Sequence, residues 1–393
     1  MESTASLESP TLFRKWAGIS LLAAVAEQKI HVVSGGEQMY PNLFCFLVAH
    51  PGVGKTRSIR AARKYYAETP DPSLAPTSLT ASSMIDALGR AKRKAVYSIG
   101  GELETLEYNS LYITADELQA FMKEYNTEAA ATMSAFYDID PYGQERRHDD
   151  FKVKIPRPQL NLVCGATPSV IMTYLPVGAW EQGFCSRTIM VFSDERQIGD
   201  DFEERDTSLN PDLIHDLNCI AGLVGRFEVT EEYRNAVNGW RKLGEDPVPT
   251  HPKLIHYATR RRVHLYKLSM VSAIDRSDTL LLTRDDFNRA MGWLLEAEAT
   301  MPDIFKAGSG NADARAMDEI YHYVLTLGAT RGPVPEGKII KFAKEHIPLH
   351  SIERVIRIMT QAGMLVEAGL DRRTGLKLFK AQVPDIDVDG NLL

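Results

Sequence analysis

Residues 42–56 read NLFCFLVAHPGVGKT, and residues 57–67 continue as RSIRAARKYYA. LFCFLVA is an unbroken apolar run of strand length, the pattern of a strand buried on both faces of a parallel sheet. It passes directly into a glycine loop and then into a stretch that reads as a helix, SIRAARKYYAE. AHPGVGKT (49–56) fits G-x-x-x-x-G-K-[ST], except that Ala49 stands at the first glycine position. Gly52 and Gly54 can take positive φ, so the loop of Pro51, Gly52, Val53 and Gly54 can curl backbone N–H groups around phosphate oxygens. Lys55 then neutralises the β and γ phosphates and Thr56 offers its hydroxyl to Mg²⁺. The helix beginning near Arg57 points its positive end at the anion. The stretch reads as a nucleotide site for ATP and Mg²⁺.

The surroundings suit a globular protein. The chain has 393 residues, 44% hydrophobic and 25% charged, with a net charge of -7. That is ordinary globular composition and excludes disorder, collagen and low-complexity scaffolds. Cys45, Cys164, Cys185 and Cys219 are far apart in sequence with no C-x-x-C pair, so neither a disulfide framework nor a zinc site is expected. The start, MESTASLESP, lacks a basic region and a long apolar core, and Ile19 to Ala26 is too short an apolar stretch to span a bilayer. The expectation is a cytoplasmic protein with no membrane partner. The negative charge is local: residues 194–216 hold nine Asp/Glu and two Arg, which is -7 by itself.

Outward from the loop, LFRKWAGISLLAAVAEQK (12–29) has apolar residues at helical spacing, and HVV follows as a short strand. Residues 69–81 read as loop, Ser82 and Ser83 as caps of a helix through MIDALGRAKRK. LYITA (111–115) is a second buried strand, expected to pass into a helix LQAFMKEY, with a further helix AAATMSAFYDI. GQERRHDDFKVKIP (143–156) suits a hairpin, while LNLVCGA (160–166) and TIMVF (188–192) are further buried strands. Strands apolar throughout and alternating with helices predict a parallel α/β sheet. From about 231 to 305 the pattern is helical, Gly308–Asn311 reads as a linker, and helices at 312–327, 336–346 and 350–362 precede two strands in MLVEAGLDRRTGLKLFKA. Three helices and a hairpin in that order predict a winged helix.

LYITADE places Asp116 and Glu117 at the carboxyl end of a buried strand, where ligands bind in open α/β sheets. Asp116 is the expected Mg²⁺ holder beside Thr56, and Glu117 the group that polarises the attacking water. Loop, Asp-Glu strand and a following strand ending in a polar group together resemble the AAA+ ATPases. In LNLVCGATP the candidate sensors are Asn161 and, at the strand end, Thr167, which is favoured. GFCSRTIMVF resembles the arginine-finger segment of minichromosome-maintenance-type helicases, with Arg187 as the finger acting on a neighbouring subunit's nucleotide; a threonine rather than an aromatic follows it. Arg260, Arg261 and Arg262 open the lid helix RRRVHLYKLSMVSAI, and one of them, Arg261 being taken as the candidate, is the expected lid sensor. The order of motifs from about residue 12 to 300 is similar to phage and mobile-element replication ATPases.

That resemblance implies an AAA+ P-loop core with an N-terminal helix over 1–193, an acidic connector and helical lid over 194–307, a winged helix over 312–382 and an acidic tail over 383–393. It further implies a hexameric ring and single-stranded or forked DNA as partner, with other replication proteins nearby. In such helicases a hairpin before the sensor strand meets DNA, which nominates Arg146, Arg147, Lys152 and Lys154. Arg354 and Arg357, at i, i+3 on a helix, and Arg372 and Arg373 in the wing are the second set. Residues 330–380 carry ten Lys/Arg and five Asp/Glu, a local +5 that suits phosphate contact. The implied activity is ATP hydrolysis driving a replicative DNA helicase. The alternatives are a helicase loader or initiator using ATP as a switch, a non-motor winged-helix regulator, and a defence-system ATPase.

Overall fold

The computed structural model describes residues 2–76, 79–99, 102–122, 127–145, 152–175, 183–199, 210–308, 312–344, 347, 349–371 and 375–382. The chain divides into two compact units, Met1–Gly308 and Ser309–Leu393.

The first unit opens with α1 (Thr11–Ala26), the hairpin strands β1 (Ile30–Ser34) and β2 (Glu37–Met39), and β3 (Phe44–Val48), which leads through the glycine loop into α2 (Lys55–Ala67). There follow α3 (Ala81–Arg90), β4 (Lys92–Ile99), β5 (Glu102–Ala115), α4 (Thr127–Asp138), β6 (Tyr142–Glu145), β7 (Lys152–Ile155), β8 (Pro158–Ala166), α5 (Pro168–Tyr174) and β9 (Thr188–Phe192). The central sheet has the order β4-β5-β8-β3-β9. β5, β8, β3 and β9 run parallel, with Phe44 opposite both Leu162 and Thr188. Every residue of β3, β8 and β9 is buried, so these strands can be apolar throughout.

The sheet is mixed rather than wholly parallel, because β4 pairs antiparallel with the first half of β5, from Lys92↔Asn109 to Ile99↔Glu102. AKRK, expected to close the preceding helix, instead starts this ribbon: α3 stops at Arg90. LYITA is only the last part of a 14-residue strand whose first half is exposed. The cap of α3 is Thr80 rather than Ser82 or Ser83; its hydroxyl accepts from Ser83 N, and Ser83 Oγ accepts from Thr80 N at 2.7 Å. Of the helix expected over LQAFMKEY, the described residues form a 3-10 turn, Leu118–Ala120, because Glu117 supplies no side-chain cap and the buried Leu118 and Met122 hold the chain against the core; residues 123–125 lie outside the described residues. The β6–β7 hairpin forms as expected and leads straight into the N-terminal end of β8.

Beyond β9 come α6 (Asn210–Gly222), β10 (Gly225–Arg226), β11 (Glu228–Val229), α7 (Glu231–Lys242), α8 (Ile255–Ala258), α9 (Arg261–Arg276), β12 (Leu281–Leu282) and α10 (Arg284–Gly308). α9 is buried along most of its length and packs on α10, so these two helices belong to the same apolar core as the sheet. β10 joins β1 in parallel.

The second unit contains α11 (Ala312–Arg331), β13 (Val334–Pro335), α12 (Glu336–Ala343), α13 (Leu349–Gln361), β14 (Leu365–Leu370) and β15 (Lys377–Ala381). Its strands form an antiparallel sheet β13-β15-β14 over a separate core that includes Ile320, Val324, Ile339, Val355, Met359 and Phe379. Among the described residues no helix is long and apolar enough to cross a membrane.

Candidate nucleotide site

In a parallel sheet the carboxyl ends of all strands lie on one side. β8 sits between β3 and β5, so the glycine loop, Thr167 and the Asp116–Glu117 pair emerge from three adjacent strand ends. They surround one cavity of about 840 Å³, which Pro51, Gly52, Gly54, Lys55, Thr56 and Arg57 line from the loop side. Asp116, Glu117 and Thr167 line the opposite side. Val53 is buried and does not line the cavity.

Gly52 and Gly54 have φ of +83° and +91°, conformations an L side chain resists. Gly54 is also tightly approached, since a Cβ there would lie 2.1 Å from the Glu8 carbonyl oxygen. α2 begins at Lys55 without a side-chain cap or an acidic residue in its first turn, leaving unsatisfied N–H groups at its start. Lys55 Nζ folds back to donate to the carbonyls of Ala49 (2.8 Å) and His50 (3.0 Å). Burial pushes its pKa below the usual lysine value, opposed by the carboxylates of Glu117 and Asp194.

Asp116 receives Arg60 through both Nη2 (2.6 Å) and Nε (3.1 Å). Its backbone is wedged against β8: a Cβ on Gly165 would meet the Asp116 carbonyl oxygen at 2.2 Å. Glu117 is exposed and faces the cavity. The hydroxyl of Thr56 and the carboxylate of Asp116 fit Mg²⁺, a cation that keeps several waters and takes one or two protein ligands alongside substrate phosphates. Among the described residues no cluster of three or more His, Cys, Asp or Glu could hold a metal alone.

Thr167 caps α5, accepting from Val170 N at 3.3 Å, with its hydroxyl 3.0 Å from Ser169 Oγ. Asn161, the other sensor candidate, is buried in the middle of β8, where its Oδ1 accepts from Leu43 N at 3.2 Å, away from the cavity.

Arg261 is corrected. It is fully buried, pairs bidentately with Glu298 at 2.7 and 2.9 Å and lies over the Trp240 ring. A guanidinium so held is a structural tie between α9 and α10 and cannot contact a nucleotide. Arg260 turns to Asp138 at 3.2 Å, and Arg262 does not line the cavity. Arg187 precedes the N-terminal end of β9, opposite the cavity of its own chain. It is 9% exposed, donating to Asp138 and to the Gly183 carbonyl at 2.8 Å. To act on a neighbour it must first leave Asp138.

Arg146 and Arg147 lie outside the described residues, as do Arg372 and Arg373. Lys152 opposes Glu145 in the β6–β7 register, and Lys154, opposite Gly143, is exposed. Arg354 and Arg357 are exposed on α13.

Several cavity residues went unforeseen. Arg60 follows Thr56 by one helical turn, a spacing that already puts both on one face. Glu8, Arg196, Gln197 and Ile198 come from distant segments with no motif. Glu8 pairs with Arg57 and accepts from Gly199 N at 3.2 Å, while Ser9 and Ser58 join their hydroxyls at 2.7 Å, so two remote stretches clasp the loop. No protein-family model matches the chain, and no curated protein matches it.

Proposed function

We propose that the chain is an ATP-hydrolysing P-loop ATPase of the AAA+ type that works as a DNA motor, with a winged helix as its second unit. The observation that carries this reading is the meeting of Lys55, Thr56, Asp116, Glu117 and Thr167 around one cavity at the carboxyl edge of parallel strands. Each supplies a separate requirement of phosphoryl transfer. Lys55 exchanges the Ala49 and His50 carbonyls for phosphate oxygens. Asp116 gives up Arg60 to take its place beside Thr56. Glu117 orients water toward the γ-phosphate, and Thr167 donates a hydroxyl at the far end of the site. When bound, Mg²⁺ supplies charge neutralisation across the phosphates.

Support for DNA as partner comes from the β6–β7 hairpin at the opposite edge of the sheet, bearing Lys154, and from exposed Arg354 and Arg357 on the last helix of a three-helix and hairpin unit. A ring is the assembly in which Arg187 meets a neighbour's nucleotide. The burial of Arg187 against Asp138 also favours a second reading, a loader that uses ATP as a switch, in which subunit contact is what frees the arginine.

The test is ATP turnover with and without single-stranded DNA, for the wild type and Lys55→Ala, followed by strand displacement on a forked duplex. DNA-stimulated turnover abolished by Lys55→Ala is expected. Turnover indifferent to that substitution refutes the nucleotide site, and turnover without unwinding selects the loader.

A further inference from the structure

A second cavity, of about 820 Å³, lies apart from the nucleotide site between the β1–β2 hairpin, β10 and α7. Arg226, Arg234 and Arg241 line it with Asn238, and Glu228 is its single acidic residue, a balance of 3 - 1 = +2. All three arginines are exposed, and among the described residues none makes an ion pair. Arg57, Arg60 and Arg289, by contrast, are each taken by a carboxylate.

Spacing adds direction to the charge. Arg234, Asn238 and Arg241 fall at i, i+4 and i+7 on α7, one face of one helix. At about 1.5 Å per residue the two arginines stand roughly 10.5 Å apart along the axis. That span is on the order of two to three neighbouring phosphates along a strand. The floor, Phe227, Tyr233 and Tyr266, is buried, so no ring is presented for a base to stack on. The cleft therefore offers contact to a backbone and not to bases.

Its place in the fold agrees. The β1–β2 hairpin enters β3 from the N-terminal end, the end from which β6–β7 projects. Tyr40, just after β2, is bonded by Arg157, which lies between β7 and β8, and the Arg157 guanidinium sits 5.6 Å from its ring. Burial, then the charges of Arg226 and Arg157, lower the pKa of His31, which stands between the two arginines.

We infer that this cleft binds the phosphodiester backbone of a single nucleic-acid strand, without regard to sequence, as a continuation of the path that begins at the β6–β7 hairpin. The inference rests on the reading of the chain as a nucleic-acid ATPase for its partner, but on its own cavity for its site.

The experiment is fluorescence anisotropy of labelled 20-nucleotide DNA and RNA strands with the full chain, over a salt series, for the wild type, Arg234→Ala/Arg241→Ala and Lys154→Ala. ATP turnover and melting temperature are measured alongside. Loss of about two phosphate contacts makes the log–log salt slope of the double variant shallower by roughly 1.4. Affinity at low salt falls at least about tenfold, with melting temperature and DNA-free turnover unchanged. Equal binding and equal slope for the wild type and the double variant overturn the cleft while leaving the ATPase reading intact. A wild type that binds neither strand overturns it as well. Strand binding that depends on Arg234 and Arg241 in a chain that hydrolyses no ATP upholds the cleft and refutes the ATPase.

Discussion

Replacing Gly165 with alanine tests whether Asp116 is set by strand packing. The glycine lies at the end of β8 with no unusual φ, so the substitution leaves the backbone conformation acceptable. The added methyl, however, would stand 2.2 Å from the Asp116 carbonyl oxygen, where ordinary contact needs 3.4 Å or more. Backbone on both sides must separate by the difference, 3.4 - 2.2 = 1.2 Å. Overpacking of this kind costs about 1–3 kcal/mol, so the variant folds with a lower melting temperature. A displacement of about 1 Å at a catalytic group lowers turnover by about 10²-fold. ATP hydrolysis at saturating Mg²⁺, nucleotide affinity with the metal chelated, and thermal melting together resolve the effect. The expected result is turnover down by about two orders of magnitude with metal-free nucleotide affinity unchanged, because Lys55 and the loop are untouched. Wild-type turnover, or affinity lost equally with and without metal, would refute the placement of Asp116 as metal holder.

Two other outcomes follow from the charged interior. Arg261→Ala strands Glu298 in the core and should cost about 3–5 kcal/mol, read as a fall in the urea midpoint, while the folded fraction keeps its affinity for ATP; a selective loss of ATP affinity at full stability would restore Arg261 to the nucleotide site. Lys267 is fully buried, bonding to Tyr40 O at 2.9 Å and Asn42 Oδ1 at 2.6 Å, and burial brings its pKa down to about 7, with Asp138 opposing and Arg260 and Arg187 assisting. Between pH 7 and the ordinary lysine value the unfolded chain binds the extra proton, so stability gained from this group rises with pH across that window. Thermal melts at pH 7, 8 and 9 should show the wild type gaining on Lys267→Met as pH increases, and parallel curves would contradict the buried lysine.

The glycine loop was legible because its chemistry is contiguous: the conformations needed at Gly52 and Gly54, the cation and the hydroxyl fall within five residues. Asp116, Glu117 and Thr167 were legible for a related reason, since a buried apolar run of strand length announces its own end. Charge was a poorer guide. Arg260, Arg261 and Arg262 look alike in sequence, yet Arg261 is committed to Glu298, 37 residues on, a partner that only packing supplies. Glu8 reaches the loop across 49 residues and leaves no local pattern. The β4–β5 ribbon was hidden because basic AKRK continues a helical pattern as readily as it starts an exposed strand; the Gly100-Gly101 pair was the available signal.

That ribbon gives β5 two unlike halves. Its 14 residues extend about 45 Å at roughly 3.3 Å each, and only the last seven, from Asn109, are gripped by β8. The outer arm, paired with β4, runs away from the cavity; the inner arm, about 20 Å from Asn109 to Ala115, ends at Asp116. Asp116 therefore stands at the end of one uninterrupted strand whose inner arm is held by β8, with Gly165 leaving the room that its carbonyl oxygen takes.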